Sequence, residues 1–252
     1  MNKNSFLITP TKQTRILMGM PITVEILDEN IESKIFDRVF DYFHYVDEKY
    51  SPFKSTSELS LINNGFLKEK QWSIEMKEIF NLAEETKKIS GGFFDIKKPD
   101  GKMDPSGIVK GWAIHNAAKL LKNQGCKIFY VDAGGDIEAH GKFWRVGIRN
   151  PFDRNENIKI VKIKDQGIAT SGTYIRGDHI YNPVNGKKVT EIVSLTVIGP
   201  DIFEADRFAT AAFAMGREAI NFIERLENFE GYMIDQNGIA TMTSGFEKYT
   251  GS

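Results

Sequence analysis

The sequence predicts an α+β fold, with mixed sheets and packed helices in a single domain over residues 1–252. Three observations predict it. Apolar residues recur at helical spacing in some stretches and alternate, or run unbroken for a few residues, in others. These two kinds of stretch do not alternate strictly, which argues against a doubly wound parallel sheet. Glycine- and asparagine-centred turns separate short strand-like runs in the second half of the chain.

Residues 18–27 alternate enough for a strand. Residues 31–49 carry Ile31, Ile35, Phe36, Val39, Phe40 and Phe43 on one face, the pattern of an amphipathic helix. Ser73 is a cap for a second helix through Ile89, ended by Gly91-Gly92. A third, over 106–124, carries Trp112, Ile114, Ala117, Ala118, Leu120 and Leu121, with Gly125 as its stop. Strands are expected over 127–132, 143–148, 158–163 and 193–198, and one more ends at Ile168-Ala169-Thr170-Ser171-Gly172. Helices near 204–215 and 217–227 follow, then a closing hairpin of 232–235 and 239–242 around Gln236-Asn237-Gly238. Phe36, Phe40 and Trp144 read as core.

Composition narrows the function classes. Of the residues, 41% are hydrophobic and 18 are Phe, enough for a sizeable core. A net charge of −1 gives no reason to expect nucleic acid or an anionic membrane as partner. The one cysteine, Cys126, excludes an internal disulfide and a cysteine metal cluster. No apolar run reaches transmembrane length and no cysteine near the N-terminus offers a lipidation site, so no membrane anchor and a cytoplasmic location are expected.

Two oxygen-rich segments carry the chemistry. One is Asp104-Pro105-Ser106-Gly107-Ile108-Val109-Lys110-Gly111, the other Glu204-Ala205-Asp206-Arg207-Phe208-Ala209-Thr210. On a helix, Asp206 and Thr210 share a face, and a carboxylate with a hydroxyl suits a small hard cation. The competing reading is structural: Asp206 in the first helical turn favours the dipole, and Thr210 bonds back to the helix. Gly107 and Gly111 bracket Lys110 at a helix start, where backbone N–H groups suit phosphate. The P-loop spacing is absent, and Lys110 by itself reads as a solvated helix lysine. Together the segments suggest Mg²⁺ holding a diphosphate.

Glycine punctuation continues at Asp132-Ala133-Gly134-Gly135-Asp136, Thr170-Ser171-Gly172, His179-Ile180-Tyr181-Asn182-Pro183 and Asn185-Gly186. Each alone reads as a turn. Their order, with Met18-Gly19-Met20, Ser51-Pro52-Phe53-Lys54, Ser57-Glu58-Leu59, Ile62-Asn63 and Gly92-Phe93-Phe94-Asp95-Ile96, resembles the ApbE family of FAD:protein FMN transferases over nearly the whole chain. The chain departs from the family pattern in places. Only Lys97 to Met103 stand where relatives carry a few dozen residues. His115 stands at a usual Asp, Asn182 at a usual Asp, Val184 at a usual Arg and Met20 at a usual Thr.

The resemblance implies an ApbE-like, T-fold-like architecture. It implies transfer of FMN from FAD to a Thr or Ser hydroxyl of an acceptor flavoprotein carrying a short flavinylation motif, with release of AMP. Mg²⁺ on Gly107, Asp206 and Thr210 would serve as cofactor and FAD as substrate. Asp206 and His179 would be the catalytic residues, with His179 as base. FAD contacts would come from Met18, Phe53, Phe94, Asp95, Asp104, Lys110, Ser171, Gly172, His179 and Ile180. The same site would suit a Mg²⁺-dependent FAD pyrophosphatase, and a non-catalytic FAD-binding protein is a third reading.

Overall fold

A computed structural model describes residues 11–29, 31–153, 155–173 and 181–251. Its main sheet has eight strands in the order β1 (Lys12–Leu17), β2 (Met20–Ile26), β3 (Phe129–Ala133), β4 (Asp136–His140), β7 (Gln166–Gly172), β8 (Ile192–Gly199), β9 (Glu230–Asp235) and β10 (Ala240–Met242). Every neighbouring pair is antiparallel. A separate antiparallel ribbon joins β5 (Trp144–Arg149) to β6 (Asn157–Ile163).

Among the described residues the α-helices named in order are α1 (Lys34–Tyr50), α2 (Glu58–Asn63), α3 (Ile74–Ile89), α4 (Ser106–Asn123), α5 (Ile202–Phe213) and α6 (Ala219–Glu224). Period-2 alternation gives the sheet two apolar faces. Ile22, Val24, Val131, Leu195 and Val197 meet the helices, including Phe36, Val39, Phe40 and Phe43 of α1. Ile168, Ile198, Tyr232 and Ile234 point the other way, into a second core closed by Val146, Ile148, Val161 and Ile163 of the ribbon. The result is three layers: helices, sheet, ribbon. No helix among the described residues is long and apolar enough to cross a membrane.

Local chemistry explains the helix ends. Ser73 caps α3 by accepting the Met76 N–H at 3.1 Å, as expected from sequence. Gly125, at φ +86°, follows the end of α4 as the expected stop. α5 begins two residues before its expected start, because Asp201 caps it by accepting the Glu204 N–H at 2.9 Å. The helix expected over 217–227 is shorter, a 3₁₀ turn at Gly216–Glu218 followed by α6. Phe36 and Phe40 are buried as expected, whereas Trp144 is half-buried and donates its indole N–H to the His140 carbonyl at 3.0 Å. β1, β4 and α2 were not foreseen.

Candidate active site

α4 and α5 run antiparallel and touch along a line that glycine makes accessible. A Cβ added to Gly111 would lie 2.7 Å from Asp206 Cβ and 2.9 Å from the Ile202 carbonyl oxygen. One added to Gly107 would lie 3.1 Å from Thr210 Cγ2 and 3.2 Å from the Phe94 ring. The two glycines expected to admit a ligand thus also admit α5 itself. Arg207 fixes α5 from its other side, donating to Glu204 at 2.8 Å and to the Thr86 hydroxyl of α3 at 3.2 Å.

Asp206 falls in the second turn of α5, not the first, so the dipole explanation for it does not apply. It is 2% exposed. Oδ2 accepts the Gly111 N–H at 2.8 Å, and Oδ1 lies 3.3 Å from Lys110 Nζ. Burial pushes the Asp206 carboxyl up to about 6; the Lys110 charge opposes that and the Asp136 charge adds to it. Lys110 is no solvated helix lysine. Its ammonium contacts Asp136 Oδ2, and its side chain is largely buried. Asp136 opens β4, and its Oδ1 accepts the Thr170 N–H of β7 at 2.9 Å. Two carboxylates therefore share one ammonium between sheet and helices.

Thr210 stands one turn beyond Asp206, half-buried, with its Oγ1 3.7 Å from the Cβ position of Gly107. Carboxylate, hydroxyl and nearby backbone carbonyls make a hard oxygen donor set of the kind Mg²⁺ accepts. Among the described residues no group of three His, Cys, Asp or Glu gathers to hold a metal. A cation here would rely on Thr210, backbone and ligand oxygens beside the one carboxylate.

Other expected site residues surround this cluster at one end of the sheet. Met18 (φ +52°) and Gly19 (φ +72°) form the β1–β2 turn, which left-handed backbone at both positions permits. The side chain of Met20 lies 3.1 Å from the Cβ position of Gly134 in the β3–β4 turn. Ser171 and Gly172 end β7 just beyond Thr170. Phe94 is buried and faces Gly107.

Three other expected residues lie on connecting segments. Asp95 pairs with Lys87 at 2.6 Å and accepts the Lys97 N–H at 2.8 Å. Asp104 Oδ1 accepts from the N–H of Ser106, at 3.2 Å, and from its hydroxyl, at 2.6 Å, at the start of α4. Phe53 projects from the loop between α1 and α2 and is 94% exposed. The short 97–103 segment closes as a tight loop, with the Lys98 N–H on the Lys102 carbonyl at 2.8 Å and Asn63 bonded both ways to the Met103 backbone. His179 and Ile180 lie outside the described residues. Tyr181, the next described residue, has its hydroxyl pKa raised by burial and by the charges of Asp95, Asp104 and Asp100.

Sequence reasoning missed Asp136 as a charge partner and missed a second cluster one turn along α4. Glu138, buried on the same face of β4 as Asp136, bonds His115 Nδ1 through Oε2 and His140 Nε2 through Oε1, both at 2.9 Å. Its Oε2 also accepts the Ile202 N–H at 3.3 Å, at the start of α5. Burial would raise the Glu138 carboxyl; the two imidazole bonds overcome that and hold it below the usual range. His115, Glu138 and His140 line an open cavity of about 520 Å³ with Cys126, Lys127 and Asp201. The signal for both clusters was the alternation of acidic residues at 136 and 138, followed by His140.

Comparisons with known proteins follow the same outline. The model of the ApbE family matches residues 18–98 and 97–233. A FAD:protein FMN transferase of Klebsiella pneumoniae is 34% identical over 155 residues, covering 56% of this chain and 44% of the relative. One of Vibrio cholerae is 30% identical over 179 residues, covering 65% and 52%. The chain thus spans about half the length of the curated relatives it matches. Among solved structures, the flavin transferase ApbE of Vibrio cholerae superposes with a TM-score of 0.82 at 21% identity, over 94% of this chain and 98% of its own. The ApbE protein of Thermotoga maritima gives 0.84 at 18% identity, over 96% and 99%. These likenesses show the fold.

Proposed function

Because the chain belongs to the ApbE family, we propose that it transfers FMN from FAD to a Thr or Ser hydroxyl of an acceptor flavoprotein, releasing AMP. The observation that carries this reading is the buried Asp206 beside Thr210, Gly107 and the Lys110 ammonium, where α4 and α5 meet the sheet. This constellation of hard oxygens with a fixed cation suits a diphosphate and a divalent ion more than a neutral ligand.

Asp206, Thr210 and the Gly107 carbonyl would hold Mg²⁺. When bound, the ion supplies charge neutralisation at the diphosphate. Lys110 adds a positive charge for phosphate oxygens at the start of α4. Met18, Ser171, Gly172 and the 92–104 segment would orient FAD, with Phe53 free to stack on a ring. The acceptor hydroxyl oxygen bonds to the FMN-side phosphorus, and the bond from that phosphorus to the bridging oxygen breaks. AMP leaves with the bridging oxygen, and His179 takes the hydroxyl proton. An extended acceptor segment is needed so that its oxygen can approach in line.

The test is AMP release from FAD with Mg²⁺, measured with an acceptor and with the same acceptor lacking its reactive hydroxyl. Release that depends on the hydroxyl supports transfer. Equal release from both acceptors indicates a pyrophosphatase, and none with either indicates a carrier.

A further inference from the structure

Resting on the metal reading above, we infer that Asp136 is a positioning residue. It draws the Lys110 ammonium toward the sheet and so limits its hold on Asp206, which keeps that carboxylate able to take a divalent cation. Lys110 Nζ is in direct contact with Asp136 Oδ2, while it stands 3.3 Å from Asp206 Oδ1. Asp136 is itself fixed, buried on β4 with its second oxygen on the Thr170 N–H. Asp206 has one oxygen committed to Gly111, so Oδ1 is the atom that a cation and the lysine would both seek. A lysine closing fully on Asp206 would neutralise the one carboxylate of the donor set and compete with the incoming ion. Two acids sharing one ammonium oppose that closure: Asp136 and Asp206 carry two negative charges to the one positive charge on Lys110, and the ammonium is drawn to both.

The arrangement also gives the ammonium a defined position. Asp136 reaches it from the strand that follows the Gly134-Gly135 turn, and Thr170 reaches Asp136 from the strand that ends in Ser171-Gly172. Three segments of the site are thus tied to one charged group, although only Lys110 stands on a helix that meets Asp206.

The test is Asp136→Asn, which removes the charge but keeps an oxygen for Thr170. Mn²⁺ binding is measured directly on the protein without FAD, and the crystal structure of the variant locates Lys110. The expected results are at least about tenfold weaker Mn²⁺ binding, within the range for loss of an outer-shell partner, and Lys110 Nζ drawn in from 3.3 Å to about 2.8 Å of Asp206 Oδ1, the length of a charge-assisted bond. Substituting Lys110→Met in the same variant should recover most of the affinity, which repair of a merely structural defect would not do. Should Asp136→Asn fold poorly, Asp136→Glu keeps the charge and is expected to bind Mn²⁺ within about threefold of the unsubstituted protein, short of the roughly tenfold or greater loss that removal of an outer-shell partner brings. Unchanged Mn²⁺ affinity in Asp136→Asn, a lysine that turns to solvent, or weak binding by Asp136→Glu overturns the inference while leaving the metal reading intact. Absence of Mn²⁺ binding by the unsubstituted protein overturns both.

Discussion

The backbone N–H of Gly111 donates to Oδ2 of Asp206 at 2.8 Å, and no side chain stands between the two helices there. A main-chain group of α4 thereby holds the carboxylate of α5 in a fixed orientation, in a place closed to water. In the proposed reading, the pair turns a helix–helix contact into one half of the metal site.

Gly111→Ala tests that contact. A methyl group at 2.7 Å from Asp206 Cβ forces α4 and α5 apart. Overpacking of this kind costs about 1–3 kcal/mol. Urea denaturation should show a lower midpoint with an unchanged slope, and divalent-ion binding should weaken in step. Stability equal to that of the unsubstituted protein would show that the helices separate freely at this point.

Asp206→Ala is expected to abolish FAD turnover and its dependence on Mg²⁺, because it leaves neutral oxygens that hold the ion poorly against water. Thr210→Ala should have a milder or comparable effect. Full turnover by Asp206→Ala in the presence of a chelator contradicts the assignment of a metal to this carboxylate.

How far the site could be read from sequence depended on the element carrying each residue. Asp206 and Thr210 were legible because helical spacing alone places them on one face. Lys110 was legible as a residue but not as a partner, since Asp136 reaches it from a strand outside helical spacing. β4 escaped notice because Asp136, Glu138 and His140 occupy its inward face, inverting the usual rule of apolar residues inside. β1 escaped because its exposed residues carry little alternation and its turn uses Met18-Gly19 and not an Asn-Gly signal. The glycines at 107 and 111 announced a close approach, yet α5 as the approaching element came only from the fold.

Glu138 gives the protein an acid-sensitive joint. Its carboxyl is held below the ordinary glutamate value of 4.5 by His115 and His140, against the cost of burial. A depressed carboxyl contributes stability that is present above its unfolded pKa and lost as pH falls through the folded one. Glu138→Gln should therefore be about 2 kcal/mol less stable at pH 7, the scale of hydrogen bonds to a charged group. That deficit should shrink once the pH drops below the ordinary glutamate value. A deficit that stays constant from pH 7 to the acid transition would mean that the charge on Glu138 contributes nothing.

His179→Ala is expected to keep FAD binding and to slow FMN transfer by about a hundredfold or more, the scale of general-base assistance. Flavin binding followed by fluorescence, alongside the rate of acceptor labelling, separates the two effects. Labelling at the unsubstituted rate would require another group to take the proton.

The most direct test of FMN transfer is the mass of the acceptor. The protein is incubated with FAD, Mg²⁺ and an acceptor flavoprotein carrying a reactive Thr or Ser, and the acceptor is weighed intact after denaturation. The account predicts a gain of one phosphate-linked FMN, stable to denaturation, with one AMP released for each label. An acceptor of unchanged mass, with FAD either intact or simply hydrolysed, would contradict it.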